Sequence, residues 1–297
     1  MTRDGVFDRT RDAWLLLAPT LFVLTVFLYY PTIRTVPLSL YRTFLFGSRK
    51  QFVGLGNFAS LATSGKYQAS VLLTLAFVAV VVVGTLLVGF VVAALIFSVT
   101  RGSTAYLVAA VWPYAVPMAV AGTMFNFLLN PVAGIFTRYL AAWFGVHLNW
   151  YLDGPQAFAV VTLVAVWKQV GFDVIILYAA LHTIPDSLVE VADIDGVATW
   201  RRFALAYAPL VSPTLVFLVV MNTIYAFFES FSLVDLLTAG GPNGATTFLV
   251  YKLYRDAFSY HDLGLAAAES ILLFCVVVAL TAVQFRFSDR YAHYGGV

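Results

Sequence analysis

Six long apolar segments constrain this chain more than any other feature of its sequence. They cover approximately residues 13–33, 71–97, 104–129, 157–181, 209–234 and 264–287. A helix needs roughly 20 apolar residues to cross about 30 Å of hydrocarbon, and every segment reaches that length. The segments lack the alternating pattern and short turns of an outer-membrane barrel. We therefore predict an all-α, polytopic membrane protein with six transmembrane helices. We expect Pro113 and Pro117 to kink the third span, and Gly84 and Gly89 in the second span to let neighbouring backbones approach closely.

Composition agrees with a lipid environment and excludes several classes of function. Hydrophobic residues make up 61% of the 297 residues and charged residues only 11%, which leaves too little polar surface for a soluble globule. A net charge of +2 with dispersed basic residues does not favour a nucleic-acid partner. Cys275 is the only cysteine, so neither a disulfide framework nor a cysteine metal site is possible.

Six spans place both termini on one side of the membrane, but the basic residues do not decide which side. Apart from Lys168, the count is tied at eight basic residues on each side. Much of the set opposite the N-terminus lies in the long first loop, so charge density slightly favours a cytoplasmic N-terminus. The run from Trp14 to Tyr30 is too long for a signal-peptide core and lacks a cleavage site, so we expect an uncleaved first span.

A polar insertion at residues 185–214 separates the fourth and fifth apolar segments. Pro185 suits the first position of a helix, and Asp186 and Glu190 place negative charge near the positive end of the helix dipole. Asp186, Glu190 and Asp193 recur at i, i+4 and i+7, so they share one helix face. The pattern predicts an amphipathic helix at the membrane surface.

The order of Glu190, Ala192, Gly196 and the more distant Pro209 resembles the coupling-loop signature of permease subunits of binding-protein-dependent ABC importers. That signature reads E-A-A, three residues, G, and later a leucine-proline pair. Val191 replaces the first alanine, and an alanine replaces the leucine; both exchanges are apolar. The acidic stripe alone would fit an ordinary amphipathic loop. The glycine and the proline stand at the positions that the signature requires, and they favour the coupling loop.

The resemblance implies that the loop at 183–208 docks into a groove on a separate ATPase subunit. The implied ATPase-coupling residues are Asp186, Glu190, Ala192, Asp193, Gly196, Arg201 and Arg202. The chain has no P-loop, so ATP and Mg would be bound by the partner ATPase, and we expect no cofactor and no metal in this chain.

A second resemblance lies in the loop at 235–262. Gly240, Gly241 and Pro242 predict a tight turn, and physics alone would suggest nothing more. The string TAGGP, followed by a threonine pair and the string YKLYRDAF, resembles an outer loop of the sugar and glycerol-phosphate branch of the family. The resemblance extends over nearly the whole chain, and it implies that this turn faces a solute-binding protein.

The resemblance also implies the organisation of the assembly. A type I ABC importer permease fold would occupy 71–287, after a cytoplasmic terminus (1–12), a first helix (13–33) and an outer loop (34–70), with 288–297 cytoplasmic. The implied partners are a second homologous permease, two ATPase subunits, an extracytoplasmic solute-binding protein and membrane lipid. The strings QFVGLGNF, VWKQV and YAFFESF are similar to those of sn-glycerol-3-phosphate permeases, which implies that substrate or a glycerophosphodiester.

Polar residues within the spans are the candidates for a translocation path, because each ionisable group at membrane depth costs about 2.5–3.5 kcal/mol on insertion scales. We expect two polar stripes, one on the fourth span and one on the fifth, to face the bundle interior. The candidate residues are Lys168, Gln169, Asp173, Asn222, Tyr225 and Glu229. Lys168 could meet a phosphate, or it could form a structural interhelical pair with an acid such as Glu229. The sequence leaves both open.

Two other functions remain as alternatives. The chain could be the permease of an oligosaccharide importer of the maltose or trehalose type, since those permeases share most of these motifs. It could also be a self-sufficient secondary transporter, although no inverted repeat is visible and a coupling loop would then have no purpose. A membrane enzyme ranks last, because neither G-x-S-x-G nor H-E-x-x-H occurs.

Overall fold

The computed structural model describes residues 10–44, 49–99, 101–185, 199–203 and 207–291. The chain divides into two compact units, one formed by 1–64 with 253–272 and the other by 65–252 with 273–297. The described elements are predominantly helical, as predicted, with one short hairpin as the exception.

The first unit begins with an apolar helical stretch that runs from Trp14 to Ser39 and is interrupted by a π-turn. Its elements are α1 (Thr10–Leu24), α2 (Tyr30–Ser39), β1 (Tyr41–Phe44), β2 (Arg49–Phe52) and α3 (Gly56–Thr63). The two strands are antiparallel, with Tyr41 opposite Phe52. The amide of Asn57 donates to the carbonyls of Ser39 and Tyr41, at 2.8 and 2.9 Å, and so fixes the hairpin to the end of α2.

The second unit contains most of the apolar helices. In chain order its elements begin with α4 (Gly65–Phe97), α5 (Ser103–Ala115), α6 (Met118–Leu128), α7 (Ile135–Phe144) and α8 (Gly154–Leu181). They continue with α9 (Thr199–Arg202), α10 (Ala208–Leu210), α11 (Ser212–Ile224), a π-turn (Tyr225–Glu229), α12 (Phe231–Leu237), α13 (Leu249–Tyr254) and α14 (Leu263–Tyr291). The last two of these helices extend across the limits of the units.

Five described helices are long and apolar enough to cross a membrane, and a bent pair supplies the sixth predicted span. The pair is α5 and α6, which meet at 93°. Val116 is extended because proline disfavours helical backbone in the residue before it, and Pro117 lacks the N–H that would continue the helix. The prolines were predicted to kink this span; in the structure the span is broken.

Secondary structure occupies much of the predicted loop at 34–70. The first helical stretch continues to Ser39, α4 begins at Gly65, and the hairpin and α3 lie between them. Sequence windows of apolar residues end where polar residues such as Lys66 begin, whereas a helix can continue for a turn or two beyond the hydrocarbon. The helices therefore extend beyond the apolar segments at these ends.

Close packing of α4 against α8 forms the centre of the second unit. A Cβ on Gly84 would lie 3.1 Å from Val166, and one on Gly89 would lie 2.7 Å from the Cβ of Asp173. Small residues allow helix backbones to approach in a membrane, where van der Waals contact drives association. This confirms the prediction that these two glycines permit close approach.

Candidate functional site

A chain of buried side chains connects α8 to α11 within the second unit. Gln169 donates its amide to Asn222 Oδ1 at 2.9 Å, and Asn222 Nδ2 donates to Asp173 Oδ2 at 2.8 Å. A carboxylate only accepts hydrogen bonds, so its presence orients the Asn222 amide and leaves Oδ1 to accept from Gln169. All three side chains are buried, as predicted for the two polar stripes.

Asp173 lies where α4 and α8 approach most closely. Its exposed fraction is 0%, and its second carboxylate oxygen, Oδ1, has no hydrogen-bond partner among the described residues. Gly89 on α4 packs directly against its Cβ. Asn222 supplies a hydrogen bond that holds the carboxyl group of Asp173.

Lys168 lies at the break between α5 and α6. Its ammonium donates to the carbonyl of Tyr114 at 2.7 Å and lies 4.7 Å from the centre of the Tyr114 ring, and only 7% of the residue is exposed. Because α5 ends at Ala115, carbonyls of its last turn lack helical N–H partners, and the negative end of the helix dipole attracts a cation. Lys168 therefore caps the first half of the broken span.

Glu229 does not share the buried position predicted for it. Asn222 and Tyr225 are buried, and the Tyr225 hydroxyl donates to the carbonyl of Ala165 at 3.0 Å, but Glu229 is exposed. The π-turn at Tyr225–Glu229 changes the helical period, so an i, i+3, i+7 projection fails beyond Tyr225. Within the described residues, Lys168 forms no ion pair with Glu229, although Glu229 attracts it over a longer distance.

The predicted coupling loop is described only at its two ends. Asp186, Glu190, Ala192, Asp193 and Gly196 lie outside the described residues. Arg201 is exposed and Arg202 is partly buried, both in the short helix α9. Both remain candidates for contact with a partner subunit.

Aromatic residues hold both ends of this loop against the bundle. Ile184 before the loop, and Phe203 and Tyr207 after it, belong to one buried cluster with Leu177, Leu181 and Leu218. Phe203 meets Phe97 and Tyr207 edge to face, with ring centres 6.2 and 5.0 Å apart. Such contacts add about 0.5–1.5 kcal/mol per pair beyond buried area. The loop therefore starts and ends on a packed support.

The predicted turn at Gly240, Gly241 and Pro242 is present, with a cis bond before the proline. Gly240 has φ of +78°, and a Cβ there would lie 2.7 Å from the Tyr251 ring, so both backbone and space require glycine. The hydroxyl of the following Thr247 donates to the Gly240 carbonyl at 2.9 Å. Two threonines that follow the turn thus donate hydrogen bonds to its carbonyls, Thr246 to Gly241 and Thr247 to Gly240.

Sequence reasoning missed the backbone partners of two side chains. Lys168 bonds to the carbonyl of Tyr114; the signal was the Pro113 and Pro117 pair, which predicts a helix end and hence a site for a cation. Trp150 is buried and donates to the Leu129 carbonyl at 2.6 Å, a contact that no sequence pattern indicates. Among described residues, no three metal-ligating side chains come together.

Comparison with known proteins identifies the family. Residues 113–293 match the family described as "Binding-protein-dependent transport system inner membrane component". The sn-glycerol-3-phosphate transport system permease protein UgpA of Rhizobium meliloti (strain 1021) is 39% identical over 290 residues, which cover 98% of this chain and 99% of that protein. UgpA of Escherichia coli (strain UTI89 / UPEC) is 41% identical over 287 residues, covering 96% and 97%.

Solved structures agree on the fold. A bacterial alginate ABC transporter, in complex with an alginate pentasaccharide-bound periplasmic protein, contains a chain that matches with a TM-score of 0.83 at 21% identity, covering 96% of this chain and 98% of that one. A second structure, of a bacterial ABC transporter that imports alginate, matches with a TM-score of 0.80 at 22% identity, covering 94% and 96%. The predicted type I permease fold is confirmed. This chain therefore belongs to the inner membrane components of binding-protein-dependent transport systems, as a permease subunit of an ABC importer.

Proposed function

We propose that this chain carries sn-glycerol-3-phosphate, or a related glycerophosphodiester, across the inner membrane as one permease subunit of an ATP-driven importer. The observation that carries the proposal is identity of 39–41% over at least 95% of the chain with relatives named for sn-glycerol-3-phosphate transport. ATP hydrolysis belongs to a separate ATPase in this proposal.

The proposed assembly contains a second homologous permease, two ATPase subunits and an extracytoplasmic solute-binding protein. Both termini and the loop at 183–208 face the cytoplasm, and the turn at 240–242 faces the binding protein. Closure of the ATPase dimer moves the coupling loop, and the loop moves α8 and α11, which it joins. The solute then passes between the two permeases by alternating access. The aromatic cluster at Phe203 supports this transfer of force, because movement needs a packed contact at each end of the loop.

The translocation path in this proposal runs beside the broken span and the polar stripes of α8 and α11. Its candidate residues are Lys168, Gln169, Asp173, Asn222, Tyr225 and Glu229. Burial of Gln169, Asp173 and Asn222 supports a structural role for those three, which hold the path's wall together. Lys168 is the charged member that contacts the break, through the carbonyl of Tyr114, and Glu229 is exposed.

An uptake experiment tests the substrate. The chain and its partner subunits are expressed in cells that lack glycerol-phosphate transport, and entry of labelled sn-glycerol-3-phosphate is measured with and without unlabelled competitors. We expect ATP-dependent uptake that glycerophosphodiesters reduce and that maltose and trehalose leave unchanged. Uptake of an oligosaccharide in place of sn-glycerol-3-phosphate would contradict the substrate. Uptake that persists with an inactive ATPase would instead favour a secondary transporter.

A further inference from the structure

The segment between the broken third span and α8 contains a pocket that the permease mechanism above does not use. Its volume is about 320 Å³, and its polar lining consists of Thr137, Arg138, His147 and Asn149. This volume is at the lower limit of small-molecule sites, which measure about 300–1,000 Å³. The pocket is large enough for a small polar group and the few atoms bonded to it.

The charge of the lining favours an anion. Arg138 supplies a permanent cation and His147 a second basic group, whereas no carboxylate occurs among the described residues that line the pocket. Arg138 is exposed, and it forms no ion pair with another described residue. A guanidinium group presents several donors in a plane that matches phosphate oxygens.

Thr137 is an independent observation in favour of a ligand in this pocket. Only 6% of the residue is exposed, and its buried hydroxyl has no hydrogen-bond partner among the described residues. Helical threonines elsewhere, such as Thr74 and Thr162, donate to the carbonyl four residues earlier. A buried hydroxyl without a partner is costly, and an acceptor in the pocket would remove that cost.

The backbone adds to the attraction for an anion. Helix α7 begins at Ile135, so Thr137 and Arg138 lie in or beside its first turn. N–H groups in that turn lack helical acceptors, and the helix dipole is positive there. The Arg138 guanidinium, the Thr137 hydroxyl and the positive end of α7 therefore all favour a phosphate in this pocket.

The surroundings place this pocket where phosphate esters are available. Helix α7 exposes Phe136, Tyr139 and Trp143, the last of them at 77% exposure, as expected of a helix at the membrane interface. The pocket also lies at the opposite end of α8 from the coupling loop, about 42 Å away for 28 helical residues. We propose that the pocket binds a phosphate ester, supplied by an outer-leaflet phospholipid headgroup or by the transported solute.

The test measures binding of two phosphate esters to the purified transporter complex. In one arm, delipidated complex is titrated with dioleoyl phosphatidylglycerol and bound lipid is counted by native mass spectrometry. In the other arm, sn-glycerol-3-phosphate is titrated by calorimetry without the binding protein. The variants are Arg138→Gln and Thr137→Val, which keep approximate size, and the control is Lys66→Gln, an exposed cation outside the pocket.

We expect Arg138→Gln to weaken binding by about tenfold, as for loss of one charged hydrogen bond, and Thr137→Val to weaken it less. Lys66→Gln should leave binding unchanged. An effect in the lipid arm assigns a headgroup site, and an effect in the solute arm assigns a substrate site; either supports the proposal. Equal binding by both pocket variants and the wild type in both arms would overturn it. Only the solute arm rests on the proposed function, so failed uptake leaves the lipid arm intact.

Discussion

At the scale of single residues, Lys168 shows how a charge can be retained inside a membrane protein without an ion pair to another described residue. The broken span leaves a backbone carbonyl at Tyr114, and the ammonium group satisfies it at 2.7 Å. The charge is thereby partly offset by the negative end of α5 and by the Tyr114 ring. This contact favours a role in fixing the bend between the two halves of the broken span.

Replacement of Lys168 tests this role. Lys168→Ala removes the donor to Tyr114 and leaves a carbonyl without a partner, at a cost of about 1–3 kcal/mol. We expect uptake to be abolished while the complex still assembles, measured by labelled uptake and by co-purification of the subunits. Lys66→Ala, an exposed lysine near the start of α4, is the matched control and should transport normally. Normal transport by Lys168→Ala would remove Lys168 from the path.

The candidate residues also mark the limit of sequence reasoning at this scale. Burial of Gln169, Asp173 and Asn222 follows from their spacing, because polar side chains on long apolar helices must find partners inside the bundle. The position of Glu229 does not follow, since the π-turn that displaces it depends on packing between helices. Which atoms pair is likewise set by the tertiary structure.

At the scale of elements, the contact between α4 and α8 depends on glycine. Gly89→Ala would place a Cβ 2.7 Å from the Cβ of Asp173 and force the two helices apart. We expect a loss of about 1–3 kcal/mol of stability, measured as a lower thermal transition of the purified complex. Gly65→Ala is the control, because nothing lies within 4 Å of its added Cβ. An unchanged transition for Gly89→Ala would show that the helices adjust without cost.

Sequence patterns predicted best the elements that depend on neighbouring residues in the chain, such as apolar runs and prolines. Long apolar runs predict the spans, and Pro113 with Pro117 predicts the break in the third one. The hairpin at β1 and β2 was missed because its strands are four residues each and contain charged residues, so no apolar alternation announces them. The hairpin depends on a tertiary contact, because the amide of Asn57 bonds to the backbone carbonyls of Ser39 and Tyr41 at its start.

The aromatic support of the coupling loop yields a prediction for this element. Phe203→Ala would leave a cavity among Phe97, Tyr207 and the buried aliphatic residues around them, costing about 3–5 kcal/mol at a fully buried site. We expect ATP hydrolysis to continue while uptake falls sharply, measured in the same proteoliposomes. Phe217→Ala, at an exposed position on α11, should retain both activities. Parallel loss of hydrolysis and uptake would indicate a folding defect instead of lost coupling.

At the scale of the whole molecule, the proposed function makes this chain the permease subunit of an importer whose ATPase lies in another subunit. Membership in the transport family supports the permease role of this chain. The loop at 183–208 joins the fourth and fifth spans, so displacement of the loop acts on both helices that carry the buried polar chain. Loss of coupling, with the remaining parts intact, is therefore the characteristic defect that the account predicts.

The most direct test is simultaneous measurement of ATP hydrolysis and sn-glycerol-3-phosphate uptake by proteoliposomes that contain Gly196→Pro. Proline fixes φ and removes an N–H at the proposed change of direction in the coupling loop. The account predicts that the complex assembles and hydrolyses ATP while uptake is lost, so that the ratio of molecules imported to ATP consumed falls towards zero. Uptake at the wild-type ratio would contradict it.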